Sequence, residues 1–138
     1  MLRSIALTAA VAALPLAAAA ADAPPVTKLP GGVTVTVVKA GTGAKAVAGK
    51  IATVNYTGTL DNGTTFDSSR DPGRRPFSFS VGAKQVIPCW DEAVATMHVG
   101  ERVTVVCPPG TAYGDQGAGG VIPPNATLHF DIELLSVD

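Results

Sequence analysis

The sequence predicts an α+β domain, in which an antiparallel β-sheet packs its concave side against one short helix. Several segments alternate apolar and polar residues with the period of two that is typical of half-buried strands. A hairpin signal, Asp61-Asn62-Gly63, follows one of them. Only residues 88–97 carry the features of a helix.

The strands are predicted in chain order from alternation and from the residues that end each run. Thr34 and Thr36 alternate with valines in the first run, and Ser78 lies between two phenylalanines in the third. The fourth run stops at Pro108-Pro109, because proline cannot donate to the ladder of a sheet. The predicted strand segments are residues 33–37, 51–60, 77–79, 102–107 and 128–134.

The last strand shows the alternation most clearly, and we expect one core face and one solvated face. The core face carries Leu128, Phe130, Ile132 and Leu134, and the solvated face carries His129, Asp131 and Glu133.

The helix is predicted from its ends. Pro88 suits the first helical position, Asp91 and Glu92 lie near the positive end of the helix, and Gly100 follows the last turn. Trp90, Val94 and Met97 share one face. A helix this short is marginal alone, so we expect it to dock on the sheet.

The N-terminal residues 1–21 have the features of a secretory signal peptide: Arg3, an apolar run over residues 5–16, and small residues at a cleavage site near Ala20 or Ala21. The run is shorter than the ~20 residues of a membrane span. Residues 22–31, rich in Pro and Ala, predict a flexible leader, and residues 32–138 a single domain. We expect no membrane attachment after cleavage.

Composition excludes a nucleic-acid-binding class, since the net charge is -1. In an exported chain, the two cysteines predict one disulfide, and Cys89 with Cys107 is the only possible pair. Closing this loop is worth ~3 kcal/mol in the chain-entropy model. Two buried thiols are the alternative. Zinc binding is disfavoured because the chain has no C-x-x-C and its two histidines are scattered.

Other chemical motifs are weak. Residues 41–46 match the G-x-G-x-x-A dinucleotide pattern, but the next strand begins too soon for a helical crossover. Ser68 and Ser69 lie near Asp67 without a nucleophile elbow, and neither histidine is placed as a base or a metal ligand. We expect no acid–base, nucleophilic or metal chemistry.

Six aromatic residues fall on turns and strand ends, and one of them lies inside the glycine-rich segment 110–120. Aromatic residues in a small domain fill the core, but a glycine-rich loop that carries one is also typical of a binding site. The spacing of these residues in the sequence does not decide whether they line a pocket or only fill the core. The six residues are Tyr56, Phe66, Phe77, Trp90, Tyr113 and Phe130.

The chain resembles the FKBP-type peptidyl-prolyl isomerases from about Gly32 to its C-terminus. The matching segments occur in order and cover nearly all of the expected mature chain. They are Tyr56-Thr57-Gly58, Phe66-Asp67-Ser68-Ser69-Arg70, Pro76-Phe77-Ser78-Phe79, Val86-Ile87, Trp90, Met97, Val99-Gly100, Ala112-Tyr113-Gly114, Ile122-Pro123-Pro124-Asn125-Ala126-Thr127-Leu128 and Phe130-Asp131-Ile132-Glu133-Leu134.

The resemblance implies a half-open antiparallel β-sheet wrapped around one short α-helix, and cis/trans isomerisation of X-Pro bonds without a cofactor. In such a pocket Trp90 would form the floor, and the Ile87 N–H and the Tyr113 hydroxyl would bind carbonyls of the ligand. The pocket residues it implies are Tyr56, Phe66, Asp67, Phe77, Val86, Ile87, Trp90, Tyr113, Ile122 and Phe130.

The chain departs from the family pattern in three places. Cys89 stands where the family commonly has Gly, and its predicted disulfide would join the pocket floor to the base of the glycine-rich loop. Residues 71–75 are about one residue longer, so the basic partner of Asp67 is Arg74 or Arg75. Ala118 replaces a ring-bearing residue at the loop tip, which affects peptide preference.

The sequence therefore predicts an exported, monomeric isomerase that acts on proline-containing polypeptides and binds macrolides such as tacrolimus. A bacterial periplasm is the expected location and extracellular release the alternative. Residence in an endoplasmic reticulum is not indicated, because the last residues, Ser136-Val137-Asp138, carry no retention tetrapeptide. The alternative function is a non-catalytic binding module or chaperone that uses the same pocket.

Overall fold

The computed structural model describes residues 25–138, so the predicted signal peptide lies outside the described residues. Seven strands, one α-helix and two 3₁₀ turns make up this part of the chain. The strands are β1 (Val26–Lys28), β2 (Thr34–Lys39), β3 (Ile51–Leu60), β4 (Thr65–Ser68), β5 (Phe77–Ser80), β6 (Arg102–Cys107) and β7 (Leu128–Val137). The helix is α1 (Pro88–Val94), and the 3₁₀ turns are Pro30–Gly32 and Pro109–Thr111.

All strand pairs are antiparallel, and the sheet order is β1-β2-β6-β7-β3-β4 with β5 also paired to β3. The ten-residue strands β3 and β7 form its centre. Their inward side chains meet those of α1 in one buried cluster. The predicted α+β fold class is thus confirmed.

The hairpin after β3 forms where the turn signal predicts it. Leu60 and Thr64 close the turn through the N–H of Leu60 and the carbonyl of Thr64 at 2.9 Å. Gly63 has φ +87°, a conformation that favours glycine. The Asn62 side chain accepts the Thr64 N–H at 2.9 Å, as turn asparagines commonly do.

The alternation in β7 separates a core from a wet face, as predicted. Its four apolar residues are at most 5% exposed. On the opposite face, Asp131 accepts hydrogen bonds from Arg102 at 3.0 Å and from Arg70 at 3.2 Å. Partly exposed pairs of this kind contribute at most about 1 kcal/mol, so the buried face dominates the stability of the strand.

The helix ends earlier than predicted, at Val94 rather than Met97. The Thr96 and Met97 N–H groups bond three residues back, to Ala93 and Val94, which tightens the last turn. The Thr96 hydroxyl also donates to the Ala93 carbonyl at 2.7 Å and so competes with the helical pattern. Met97 is nevertheless fully buried, so the predicted apolar face is complete.

Part of the predicted flexible leader, residues 22–31, forms a strand in the structure. Val26–Lys28 form β1 and pair with β2, with Val26 opposite Thr36 and Lys28 opposite Thr34. All three side chains of β1 are exposed, so the strand is held by backbone bonds to the sheet edge. Because none of its side chains is buried, the pattern of apolar residues in the sequence does not indicate this strand.

Cys89 and Cys107 form the predicted disulfide, with a Cα–Cα distance of 5.7 Å. Both residues are fully buried, and the bond joins α1 to the end of β6. The alternative of two buried thiols is therefore excluded.

Within residues 25–138, no helix is long and apolar enough to cross a membrane.

The segment that matched the dinucleotide pattern is an irregular connection that packs against residues 97–101. The Gly43 N–H donates to Val99 and the Ala46 N–H to Met97, both at 3.0 Å. A Cβ at Gly41 would lie 2.5 Å from the Glu101 nitrogen, so this glycine is required by close backbone approach. The segment forms no helical crossover, as the short distance to the next strand predicts.

Candidate functional site

A cavity of about 260 Å³ opens between β3, β4, β5, β7, the helix and the loops beside them. Nine of the ten residues that the resemblance implies line it, together with Gln85, which belongs to none of the matching segments. The lining residues are Tyr56, Phe66, Asp67, Phe77, Gln85, Val86, Ile87, Trp90, Tyr113 and Phe130.

Trp90 lies at the centre of the aromatic set and is 5% exposed. The rings of Tyr56, Phe130 and Phe77 meet it edge to face, at centroid distances of 4.9, 5.3 and 6.0 Å. Phe66 in turn meets Phe130 edge to face at 5.6 Å. Such pairs contribute about 0.5–1.5 kcal/mol beyond their burial, so the aromatic residues serve both core and pocket.

Local sequence places these rings. Tyr56 and Phe130 point inward because they fall on the buried positions of the alternating strands β3 and β7. Trp90 follows Pro88 at the start of α1, and the disulfide at Cys89 ties this turn to β6. The rings at the floor of the cavity are therefore positioned by β3, β7 and α1, and the disulfide attaches α1 to β6.

A polar network lines one side of the cavity. The Tyr56 hydroxyl donates to Oδ2 of Asp67 at 2.5 Å, and Nη1 of Arg74 donates to Oδ1 at 3.0 Å. Nη2 of Arg74 also donates to the Tyr56 oxygen at 3.4 Å. The structure thus assigns Arg74, and not Arg75, as the basic partner of Asp67.

The two acidic groups of this network titrate differently from free side chains. Burial, then the hydrogen bond to the Asp67 carboxylate and its negative charge, raise the pKa of Tyr56 to about 12. Burial is also the largest effect on Asp67, but the hydrogen bonds from Tyr56 and Arg74 outweigh it and lower the pKa of this carboxyl. At neutral pH the network holds a phenol, a carboxylate and a guanidinium.

The rim of the cavity presents apolar rings and an unpaired donor. Phe77 and Tyr113 are 40% and 41% exposed. The Ile87 N–H has no hydrogen-bond acceptor within residues 25–138. At the floor, the buried indole N–H of Trp90 likewise has none in the described part of the chain. The rim therefore offers the Ile87 N–H to a ligand.

The structure does not bring Ile122 into this cavity. Its side chain is 7% exposed in the core, and it lines a second cavity with neighbours from the glycine-rich loop. Its carbonyl accepts the Ala118 N–H at 2.9 Å. Ile122 therefore shapes the loop that carries Tyr113.

Gln85 is the lining residue without a sequence signal, since it matches no motif and lies in a short loop. Its Oε1 accepts the N–H of Ser80 at 2.9 Å. This bond closes the loop between β5 and α1. Only its position in the folded structure identifies Gln85 as part of the site.

The serines beside Asp67 have structural roles. The Ser69 hydroxyl accepts the Tyr56 N–H at 2.9 Å and donates to Asn55 at 3.0 Å. Ser68 is 4% exposed and bonds Tyr56 and Thr57. The only histidine–aspartate contact at hydrogen-bond distance in residues 25–138, His129 to Asp61 at 2.6 Å, lies on the opposite face of β7.

Comparison with known proteins agrees with this geometry. A sequence profile of the FKBP-type peptidyl-prolyl cis-trans isomerases matches residues 42–135. The peptidyl-prolyl cis-trans isomerase Fkbp12 of Drosophila melanogaster is 57% identical over 90 residues, which cover 65% of this chain and 82% of that protein.

A second relative, FK506-binding protein 1 of Dictyostelium discoideum, is 53% identical over 105 residues, which cover 76% of this chain and 97% of that protein. The crystal structure of FkpA from Escherichia coli superposes with a TM-score of 0.76 at 38% identity. That superposition covers 90% of this chain but 56% of FkpA.

Proposed function

Because the chain belongs to the family of FKBP-type peptidyl-prolyl cis-trans isomerases, we propose that it isomerises X-Pro bonds of polypeptides in the cavity above Trp90. The observation that carries this proposal is the aromatic cavity itself. It has the size for a prolyl side chain, an unpaired donor at its edge, and no nucleophile–base pair among its lining residues.

The reaction needs no nucleophile. Resonance keeps the X-Pro amide planar, and the barrier to rotation is ~18–20 kcal/mol. Rotation removes the charge separation of the planar amide, so an aromatic wall disfavours the planar form relative to the twisted one. Lowering the barrier by ~4 kcal/mol would accelerate the reaction roughly a thousandfold.

Two donors at the rim fit the role of holding the twisted peptide. The Ile87 N–H would bind the carbonyl of one residue, and the Tyr113 hydroxyl would bind another. The support for this assignment is that both residues line the cavity and that the Ile87 N–H is unpaired within residues 25–138. Hydrogen bonds that are better formed in the bent transition state than in the planar ground state lower the barrier.

Asp67 would act indirectly, by holding the aromatic ring of Tyr56 in place. It accepts from Tyr56 and Arg74, so it fixes the Tyr56 ring that packs on Trp90. A fixed Tyr56 ring keeps the cavity complementary in shape to the twisted amide, as catalysis by positioning requires.

We also propose that the chain is exported to a bacterial periplasm, acts there as a monomer on folding polypeptides, and binds tacrolimus. Support comes from the signal-like residues 1–21, from the disulfide, which is typical of exported proteins, and from relatives whose names describe FK506 binding. Mass analysis of the chain recovered from a secreting host tests the export step. A mature N-terminus at residue 21 or 22 is expected, and an uncleaved chain would contradict it.

The experiment that tests the activity is refolding of a protein whose folding is limited by X-Pro isomerisation, with the chain from Asp22 onward present and absent. Acceleration that tacrolimus abolishes would support both the activity and the cavity. Tacrolimus binding without acceleration would instead favour the non-catalytic binding module. The absence of both tacrolimus binding and acceleration would overturn the assignment of this cavity.

The Tyr113→Phe variant refines this test. If the hydroxyl binds substrate, kcat/KM falls by about tenfold, the usual cost of one hydrogen bond to a bound group, with the melting temperature unchanged. An unchanged rate would remove the hydroxyl from the mechanism.

A further inference from the structure

Residues 81–87 join β5 to α1 and form one wall of the cavity. The loop turns through Gly82 and Lys84, whose φ angles are +77° and +59°. Lys84 is one of only two non-glycine residues with positive φ in the described part of the chain. Such a backbone is disfavoured for a residue with a side chain, so other contacts must hold the loop. The wall residues are Gln85, Val86 and Ile87.

Asp91 supplies those contacts from the helix. Its Oδ1 accepts the Gly82 N–H at 3.0 Å, and its Oδ2 accepts the Lys84 N–H at 3.0 Å. Hydrogen bonds to an ionised carboxylate are roughly twice as strong as neutral ones. Asp91 directly follows Trp90, so one turn of α1 carries the cavity floor and the group that holds its wall.

We propose that Asp91 is a positioning residue that fixes the wall of the cavity relative to Trp90 and thereby places the Ile87 N–H. This assignment rests on the proposed isomerase function. Gly82 and Lys84 are exposed, so water can satisfy their N–H groups if the carboxylate is lost. Loss of Asp91 therefore costs little stability and loosens the wall.

The chain offers a matched pair of variants. Asp91→Asn replaces one of the two acceptor oxygens with an amide group, and Glu92→Gln removes the same charge from the same helix. Glu92 makes no hydrogen bond to the loop within residues 25–138, and its Oε1 is buried without a partner. The two variants therefore separate the two bonds to the loop from the general effect of charge at the helix start.

For Asp91→Asn we expect kcat/KM to fall about tenfold and the Kd of tacrolimus to rise similarly, because small displacements of a catalytic wall are costly. Amide hydrogen exchange at Gly82 and Lys84 should accelerate in this variant. In Glu92→Gln the exchange, the rate and the Kd should stay at wild-type values. Melting temperatures of the two variants should agree.

An Asp91→Asn protein with accelerated exchange but with kcat/KM and tacrolimus Kd within about twofold of wild type would overturn the proposal. Equal losses of activity in both variants would also overturn it. Should Asp91→Asn fail to fold, Asp91→Glu decides, because it keeps the charge and moves the oxygens by one methylene. Reduced kcat/KM at a wild-type melting temperature supports the proposal, and unchanged kcat/KM overturns it.

The wild-type chain in the same assay separates the two proposals. An active wild type with an unaffected Asp91→Asn variant overturns only the role of Asp91. A wild type that neither accelerates refolding nor binds tacrolimus overturns the proposed function, and the role of Asp91 falls with it.

Discussion

Tyr56 serves two purposes at the wall of the cavity: its ring packs edge to face on Trp90, and its hydroxyl donates to Asp67. Arg74 completes the network from the loop after β4. The sequence narrowed the basic partner to two neighbouring arginines, and only the path of the loop distinguished between them.

The network gives a pH dependence with a definite sign. Folding raises the pKa of Tyr56 to about 12, so its contribution to stability is present below the ordinary tyrosine value of ~10 and is lost as pH rises through about 12. Folding lowers the pKa of Asp67, so its contribution is present above ~4 and is lost as pH falls through a still lower value. Between roughly pH 5 and 9 these two groups should leave stability constant.

Spectrophotometric titration of Tyr113→Phe isolates Tyr56, since the chain has 2 tyrosines. The expected midpoint is about 12. Asp67→Asn in that background should lower the midpoint, because the carboxylate that raises it is gone, whereas Arg75→Gln should leave it in place. A midpoint at the free-tyrosine value in the parent variant would contradict the network.

Gly58 matters because it leaves room for two of the aromatic rings that line the cavity. A Cβ at this position would lie 2.6 Å from Cζ of Phe66 and 2.8 Å from Cε1 of Phe130, so Gly58→Ala must displace the rings that line the cavity. Overpacking of this kind costs about 1–3 kcal/mol. We expect a lower unfolding free energy and weaker tacrolimus binding. Gly110→Ala is the matched control, because nothing lies within 4 Å of its Cβ. Equal effects in both variants would refute the steric account.

Among the elements, α1 is the one that depends most on its surroundings. It has seven residues, too few for stability in isolation. Its residues Trp90 and Val94 are buried, as is Met97 just after it, and the disulfide attaches the helix to β6. The helix therefore takes its position, and that of the cavity floor, from the rest of the fold.

Removing the disulfide should lower the unfolding free energy by ~3 kcal/mol, the value expected for a loop of this length. Calorimetry of Cys89→Ala/Cys107→Ala tests this, and the fluorescence of the single tryptophan reports whether the floor moves. An unchanged melting temperature, or two thiols titrating in the untreated wild type, would contradict the bond.

At the scale of the whole molecule, the sheet separates two surfaces. One face of β3 and β7 holds the core and the cavity, and the other carries the polar pairs around Asp131. The first strand, β1, lies at one edge of the sheet, and β2, β6 and β7 separate it from β3. It contributes no residue to the cavity.

A chain that begins at Gly32 lacks β1 and should keep its activity. We expect a melting temperature a few degrees below that of the chain beginning at Asp22, because about 1 kcal/mol of backbone pairing is lost at an exposed edge. Refolding assays and thermal unfolding of the two chains check this. A loss of activity without loss of folding would show that β1 affects the cavity.

Sequence patterns were sufficient for most strands. The alternation in β3 and β7 and the turn at Asp61-Asn62-Gly63 are local, so they could be located from the sequence. The strand β1 and the early end of α1 depend on backbone hydrogen bonds, which side-chain patterns do not report. Gln85 and Ile122 show the same limit at the site.

By itself the sequence determined the fold class, the family and the only possible cysteine pair, because alternation, ordered motifs and cysteine count are properties of the chain. The tertiary structure decided that this pair is bonded. The tertiary structure decided that the aromatic residues enclose a cavity as well as filling the core. It also selected Arg74 as the partner of Asp67, excluded Ile122 from the cavity and placed Asp91 behind its wall. These facts depend on distances between residues far apart in the chain, and such distances exist only once the sheet has closed around the helix.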